Sequence, residues 1–319
     1  MSSSEFDLID RYFSGLNSSD KTVICGIGDD AAVLDISAEH FLLTSVDTLI
    51  SDVHFMADTD PADIAYKSLA VNISDIAAMG GTARWATLAL TMPEAGHDWL
   101  QAFAKGFSEI AERYKVSLVG GDTTQGPLAV TIQIMGTVSR GQSIRRNKAQ
   151  AGDLIYVSGS LGSAGLAYQA TLDKSLRQYV SESCTQRLHR PEPRVELGKQ
   201  LNHFAHAAID ISDGLVSDLG HLLKASELGA EVELDKIPFC PELMELDKQQ
   251  RWSIALAAGD DYELCFTLTQ ASEAEMQRQL EELDYPVTCI GKITDSSGIV
   301  WLDEKGEKVE LQLEGYQHF

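Results

Sequence analysis

The chain has 319 residues, 44% hydrophobic and 23% charged, which is length enough for two domains of about 150 residues and too apolar for wholesale disorder. Its 25 Lys and Arg face 48 Asp and Glu, a formal charge of -23, so its far field repels phosphate backbones and anionic lipid. Neither nucleic acid nor a membrane is expected as a partner, and no run of roughly 18 apolar residues offers a spanning helix.

In chain order, MSSSEFDLIDRYF reads as a short amphipathic helix with Phe6, Ile9 and Phe13 on one side, without the basic and apolar regions of a secretory leader. The five cysteines, Cys25, Cys184, Cys240, Cys265 and Cys289, are widely spaced and never form C-x-x-C, which predicts a reducing, cytoplasmic setting. Strands are predicted over 41–48, 83–92, 116–120 and 128–138, segments rich in Val, Ile, Leu and Thr and bounded by Gly, Pro or Asp. Between them, Asp60 as N-cap and Pro61 at the first helical position start a helix that Gly80 and Gly81 stop. A second helix is predicted over 97–115, where Leu100, Phe103, Phe107, Ile110 and Ala111 recur at helical spacing.

The basic, polar stretch RGQSIRRNKAQAGD (140–153) suggests a boundary near 150, hence domains 1–150 and 151–319. Beyond it, strands are predicted over 153–159, 207–210, 230–234, 261–268, 286–293 and 298–302, with a helix over SDGLVSDLGHLLKAS. The predicted architecture is therefore α+β, or α/β in the broad sense: two domains, each a mixed or antiparallel sheet covered by helices.

Most acidic side chains belong to a solvated coat. A subset does not fit it: Asp29 and Asp30 in GIGDDAAVL, Asp47 ending an apolar strand, Asp75 in an apolar helix, Asp122 in VGGDTT, Asp210 and Asp213 in AIDISDGL, and Asp260 and Asp261 in AAGDDYELCF. Taken singly, each could close a turn or cap a helix. Six such segments with few bases nearby would repel one another if they converged, and hard oxygen ligands of this kind suit Mg²⁺ shared with substrate phosphates. On the helix after Pro61, Ser68, Asn72, Asp75 and Met79 share a stripe beside the apolar residues, so Asp75 is expected at the edge of the core.

SGSLGSAG (158–165) lacks both the P-loop ending and the G-x-G-x-x-G spacing and reads best as a strand-to-helix turn, whereas GGDTTQG and the helix start after Ser212 could offer N–H groups to phosphate. Arg145 and Arg146 are the nearest clustered cations, with an exposed basic linker as the plain alternative. There is no G-x-S-x-G elbow and no H-E-x-x-H; His54 is the histidine placed near a site.

Together GIGDDAAV, TSVDTLISDVHF, NISDIAAMGG, LVGGDTT, AIDISDGL and GDDYEL, in this order, resemble the thiamine-monophosphate kinases, part of a wider ATP-binding group that includes aminoimidazole ribonucleotide synthetase and selenophosphate synthetase. The resemblance implies a homodimer formed through the N-terminal sheet, nucleotide bound between the domains, and direct transfer of a phosphoryl group from ATP to thiamine monophosphate. It further implies that Asp30, Ser45, Val46 through its carbonyl, Asp47, Asp75, Asp122, Asp210 and Asp213 hold Mg²⁺. Gly121, Asp122, Arg146 and Ser212 would touch ATP, and His54, Glu263 and Phe319 the thiamine phosphate. Lys105 stands where relatives are expected to place an aromatic ATP contact, and Tyr114 is a distant substitute. A selenophosphate synthetase would need a reactive Cys in a glycine-rich loop, which Cys25 does not have; a Ca²⁺ buffer would need D-x-[DN]-x-[DN]-G loops, which are missing.

Overall fold

The computed structural model describes residues 11–13, 21–25, 33–281, 285–311, 313 and 315. The predicted N-terminal helix, with Phe6 and Ile9, lies largely outside them, as do Asp29, Asp30 and Phe319. The chain divides into two compact units, residues 1–76 with 81–141, and residues 77–80 with 142–319.

In the first unit β1 (Val23–Cys25) pairs antiparallel with β2 (Val33–Leu34). The remaining elements are β3 (His40–Ile50), α1 (Pro61–Ala78), β4 (Thr82–Met92), α2 (His97–Tyr114), β5 (Ser117–Gln125) and β6 (Ala129–Ser139). The last two residues of α1 group with the second unit. The four-stranded sheet has order β3-β6-β4-β5, antiparallel except for the parallel β4/β5 pair. Val130, Ile132, Ile134 and Val138 of β6 are buried at period two, the mark of a sheet with one covered face. Leu100, Phe103, Phe107 and Ile110 form the buried stripe of α2, as their spacing predicts. A Cβ on Gly106 would lie 2.0 Å from Ala62 O, so glycine there lets α2 approach the backbone of α1.

On helix α1 the polar stripe is buried at Ser68 and Asn72, which are 1% and 0% exposed. They are tolerated because Ser68 Oγ donates to Ile64 O (2.7 Å) and Asn72 Nδ2 to Ser68 O (2.9 Å) of their own helix. Strand β5 runs through Gln125, so GGDTT is edge strand rather than a loop after one.

The second unit contains β7 (Leu154–Ser158), α3 (Ser163–Leu172), α4 (Glu182–His189), α5 (Val195–Leu201), β8 (Ala207–Asp210), α6 (Leu215–Ser226), β9 (Gly229–Glu233), α7 (Lys248–Ala257), β10 (Leu264–Leu268), α8 (Glu273–Leu280), β11 (Val287–Thr294), β12 (Gly298–Leu302) and β13 (Lys308–Val309). Its seven strands run β13-β12-β9-β11-β7-β10-β8, antiparallel except for β12/β9. Ile155, Val157, Ile209, Leu219, Leu222 and Val232 belong to one core of this unit, and Tyr156, Ala208, Phe266 and Met276 to another. The predicted α+β plan with mixed sheets is thus the observed one. The strand predicted from Asp261 starts only at Leu264, because Tyr262 has φ 50° and cannot continue a pleat.

Candidate active site

In the first unit, strand register sorts the candidate residues. Asp47, Ile132, Leu88 and Gly121 share one cross-strand row; Thr48, Thr131, Ala89 and Asp122 share the next. Neighbouring rows project to opposite faces, so Ser45 and Asp47 lie with the buried Ile134 and Ile132, and Asp122 lies on the other face beside Ala89. The 2.9 Å contact between the Thr48 and Thr131 hydroxyls marks that second face. Ser45 and Asp75 are brought together: Ser45 Oγ donates to Asp75 Oδ2 at 2.6 Å, joining β3 to α1, and Asp75 is half-buried at the edge of the core as predicted. Gly121 is required by packing, since a Cβ there would stand 1.9 Å from Leu88 O. Val46 is 59% exposed.

The turn after β3 fixes His54. Its Nδ1 accepts the Ile50 N–H at 3.0 Å, so a neutral ring carries its proton on Nε2. Its carbonyl accepts from Lys67 Nζ at 3.3 Å.

In the second unit the AIDISDGL and GDDYEL segments lie side by side. Asp210 is paired with Leu264 in the sheet, and beyond that pair Ile211 N donates to Glu263 O, Tyr262 N to Ile211 O and Asp260 N to Ser212 O, each at 2.8 Å. Gly259, Asp260 and Tyr262 all have positive φ (72°, 62° and 50°), a strained path that these bonds hold in place. A Cβ on Gly259 would meet Ser212 O at 2.2 Å.

Neither Asp210 nor Ser212 is the N-cap of α6; Gly214, at φ 100°, takes that place without a side-chain bond. Asp218 reaches back from the first turn instead, its Oδ2 accepting the Asp213 N–H at 3.0 Å. Asp210 and Asp218 are 4% and 3% exposed. Burial, reinforced by the charge of Asp210 and then that of Asp213, pushes the Asp218 carboxyl up to about 8. Sequence reasoning passed over Asp218; its signal was an acidic residue one turn after a D-G helix start.

Glu263 is 1% exposed. Its Oε2 accepts from Ser158 Oγ and from Arg194 Nε, both at 2.6 Å, while Arg194 Nη2 pairs with Oε1. Arg187 Nη1 stands 3.9 Å from Oε1. SGSLGSAG forms the strand-to-helix turn that was expected: Gly159 and Gly162 take φ 58° and 94°, and Asp261 Oδ1 accepts the Gly162 N–H at 2.9 Å. Burial raises the Asp261 carboxyl well above the ordinary range. Arg187 and Arg194 carried no motif and were missed. Arg146 is exposed in a short 3-10 turn, and its carbonyl accepts from Ser226 Oγ at 2.7 Å.

Among the described residues no three His, Cys, Asp or Glu side chains converge closely enough to cage a metal alone. The donor set nevertheless fits a hard dication that completes its shell with phosphate oxygens, because every ligand candidate is an oxygen and Asp210, Asp213 and Asp218 burden one another with like charge.

Two family models match the chain: "AIR synthase related protein, N-terminal domain" over residues 28–138, and its C-terminal domain over 150–303. A thiamine-monophosphate kinase of Escherichia coli (strain K12) is 44% identical over 100% of this chain and 99% of its own length; one from Bacillus subtilis (strain 168) is 35% identical over 99% of each. The crystal structure of the thiamine-monophosphate kinase from Stenotrophomonas maltophilia K279a superposes with TM-score 0.87 at 44% identity, covering 97% of this chain and 99% of that one. A structure of AaThiL complexed with AMPPCP and TMP gives TM-score 0.77 at 31% identity, covering 99% and 97%. Escherichia coli HypE, a hydrogenase maturation protein, shares the fold at TM-score 0.80 and 20% identity over 98% of each chain. With ordered motifs, a two-unit fold and identity along its whole length all in agreement, the chain belongs to the thiamine-monophosphate kinase family.

Proposed function

We infer that this chain transfers the γ-phosphoryl group of ATP to thiamine monophosphate, giving thiamine diphosphate and ADP. The observation that carries this is the 44% identity to a thiamine-monophosphate kinase over the entire chain. The acceptor is a phosphate monoester whose second pKa, near about 6, leaves it mostly dianionic at pH 7, so the nucleophile needs no general base. What the protein must supply is position and charge.

Asp30, Ser45, Val46 through its carbonyl, Asp47, Asp75, Asp122, Asp210 and Asp213 would hold Mg²⁺. When bound, Mg²⁺ supplies the positive charge that lets two polyanions approach within a protein of charge -23 and neutralises charge spread over the transferred group. Ser45 orients Asp75 through its 2.6 Å hydrogen bond to Oδ2. Gly121, Asp122, Arg146 and Ser212 would contact ATP; Arg146, exposed and charged, suits an outer phosphate. His54, held by the Ile50 N–H at its Nδ1, would contact the thiamine phosphate. Glu263 and Phe319 complete the substrate set. Residues 1–150 would carry most ATP and metal ligands and the dimer surface, and residues 151–319 the rest.

The homodimer is supported by the face of the first unit's sheet that carries Leu42, Val46 and Ile50, which are 44%, 59% and 40% exposed. The cytoplasmic setting is supported by the free thiols Cys184, Cys240, Cys265 and Cys289. No described helix is long and apolar enough to cross a membrane.

The test is incubation with ATP, Mg²⁺ and either thiamine or thiamine monophosphate, with the products separated by chromatography. Thiamine diphosphate should form from the monophosphate, and free thiamine should remain unreacted because an alcohol would need a base. Comparable turnover of both would overturn the reading.

A further inference from the structure

We propose that Arg194 is the positioning residue of the substrate subsite: it sets the orientation of the Glu263 carboxylate, although it lies outside every motif that marks the site. The inference rests on the reading of Glu263 as a thiamine-phosphate contact.

Arg194 is 4% exposed, just before α5, and each guanidinium nitrogen has a partner. Nε donates to Glu263 Oε2 at 2.6 Å, Nη2 pairs with Oε1, and Nη1 donates to Glu192 Oε2 at 3.4 Å; the guanidinium carbon stands 5.3 Å from the centre of the Tyr285 ring. Burial works against the guanidinium charge, but the hydrogen bond and charge of Glu263 outweigh it and hold the group protonated. A fork of this kind fixes the plane of the carboxylate as well as its position, which a single lysine bond does not.

A carboxylate has about four acceptor sites. Ser158 Oγ and the two Arg194 nitrogens take three, leaving one on Oε1. The carboxylate itself fills the space beside Gly159, where a Cβ would lie 2.2 Å from Oε1 and 2.7 Å from Oε2. Arg187 Nη1, 3.9 Å away, makes no hydrogen bond among the described residues. The one remaining acceptor is therefore directional, and its direction is set by Arg194.

The experiment measures KM for thiamine monophosphate and for ATP in Arg194→Lys, Arg194→Gln, Glu263→Gln and the double variant Arg194→Gln/Glu263→Gln, with thermal melting alongside. Arg194→Gln should raise KM for thiamine monophosphate by about tenfold or more while leaving KM for ATP within about twofold, the scale expected when a contact is misaligned by a fraction of an ångström. Arg194→Lys should fall between wild type and Arg194→Gln, and it carries the test if the latter does not fold. In the Glu263→Gln background the second substitution should add nothing to KM. Lowered melting temperature with both KM values unchanged would make Arg194 purely structural and overturn the proposal. An unchanged thiamine-monophosphate KM in Glu263→Gln would instead overturn the substrate reading of Glu263, and the proposal with it.

Discussion

Ser45 Oγ and Asp75 Oδ2, thirty positions apart in sequence, meet at 2.6 Å. The bond ties a strand to a helix and orients the Asp75 carboxylate. Asp75→Asn should keep the fold and lose about 100-fold or more in turnover, since the amide matches the shape but removes a charge from the proposed Mg²⁺ ligand set. Circular dichroism alongside turnover at saturating Mg²⁺ checks this, and near-normal turnover would make Asp75 a mere helix-face residue. Ser45→Ala should cost less, about tenfold, because it removes a neutral proposed ligand and the orientation of the carboxylate rather than a charge.

Gly106 inverts a common rule. In an ordinary helix interior Gly→Ala stabilises by about 1 kcal/mol. Here the added Cβ would stand 2.0 Å from Ala62 O, so Gly106→Ala should destabilise by about 1 to 3 kcal/mol, as overpacking does. Urea denaturation of the two proteins measures it, and a more stable variant would contradict the close helix approach.

Asp261 provides a pH signature. Its carboxyl is raised in the folded state by burial first, so between its ordinary value of 3.8 and its folded value the native protein holds a proton that the unfolded chain has released. Stability from this group is therefore complete below pH 3.8 and is lost as pH rises. Asp261→Asn, which can still accept from Gly162 N, removes that loss, so the variant should gain on wild type between pH 5 and pH 8. Paired denaturation curves at the two pH values test it; a constant difference would show that Asp261 ionises normally.

The exposed sheet face predicts an association state. Leu42→Glu places a charge on the sheet face that also carries Val46 and Ile50 and should shift the proposed dimer to monomer in sedimentation velocity while leaving the circular dichroism unchanged. An unaltered sedimentation coefficient would overturn the proposed role of this face in a dimer.

What the sequence by itself determined is whatever depends on local periodicity and local chemistry. Apolar alternation in ARWATLALTM and AVTIQIMGTV marks two strands, the Leu100, Phe103, Phe107 and Ile110 spacing marks a helix, and Pro61 and Gly80 mark the ends of another. The acidic motifs marked the chemistry, because an aspartate beside glycine in an apolar segment is anomalous wherever it occurs. Tertiary structure alone decided which of these residues meet. Register placed Asp47 and Asp122 on opposite faces of one sheet, a consequence of strand pairing that no single segment encodes. Positive φ at Tyr262 delayed β10, since the ladder to Ile211 and Ser212 outweighs the strand preference of DYELCFTL. Arg194 and Glu263, 69 residues apart, pair only because burial makes an unpartnered charge so costly that each must find the other.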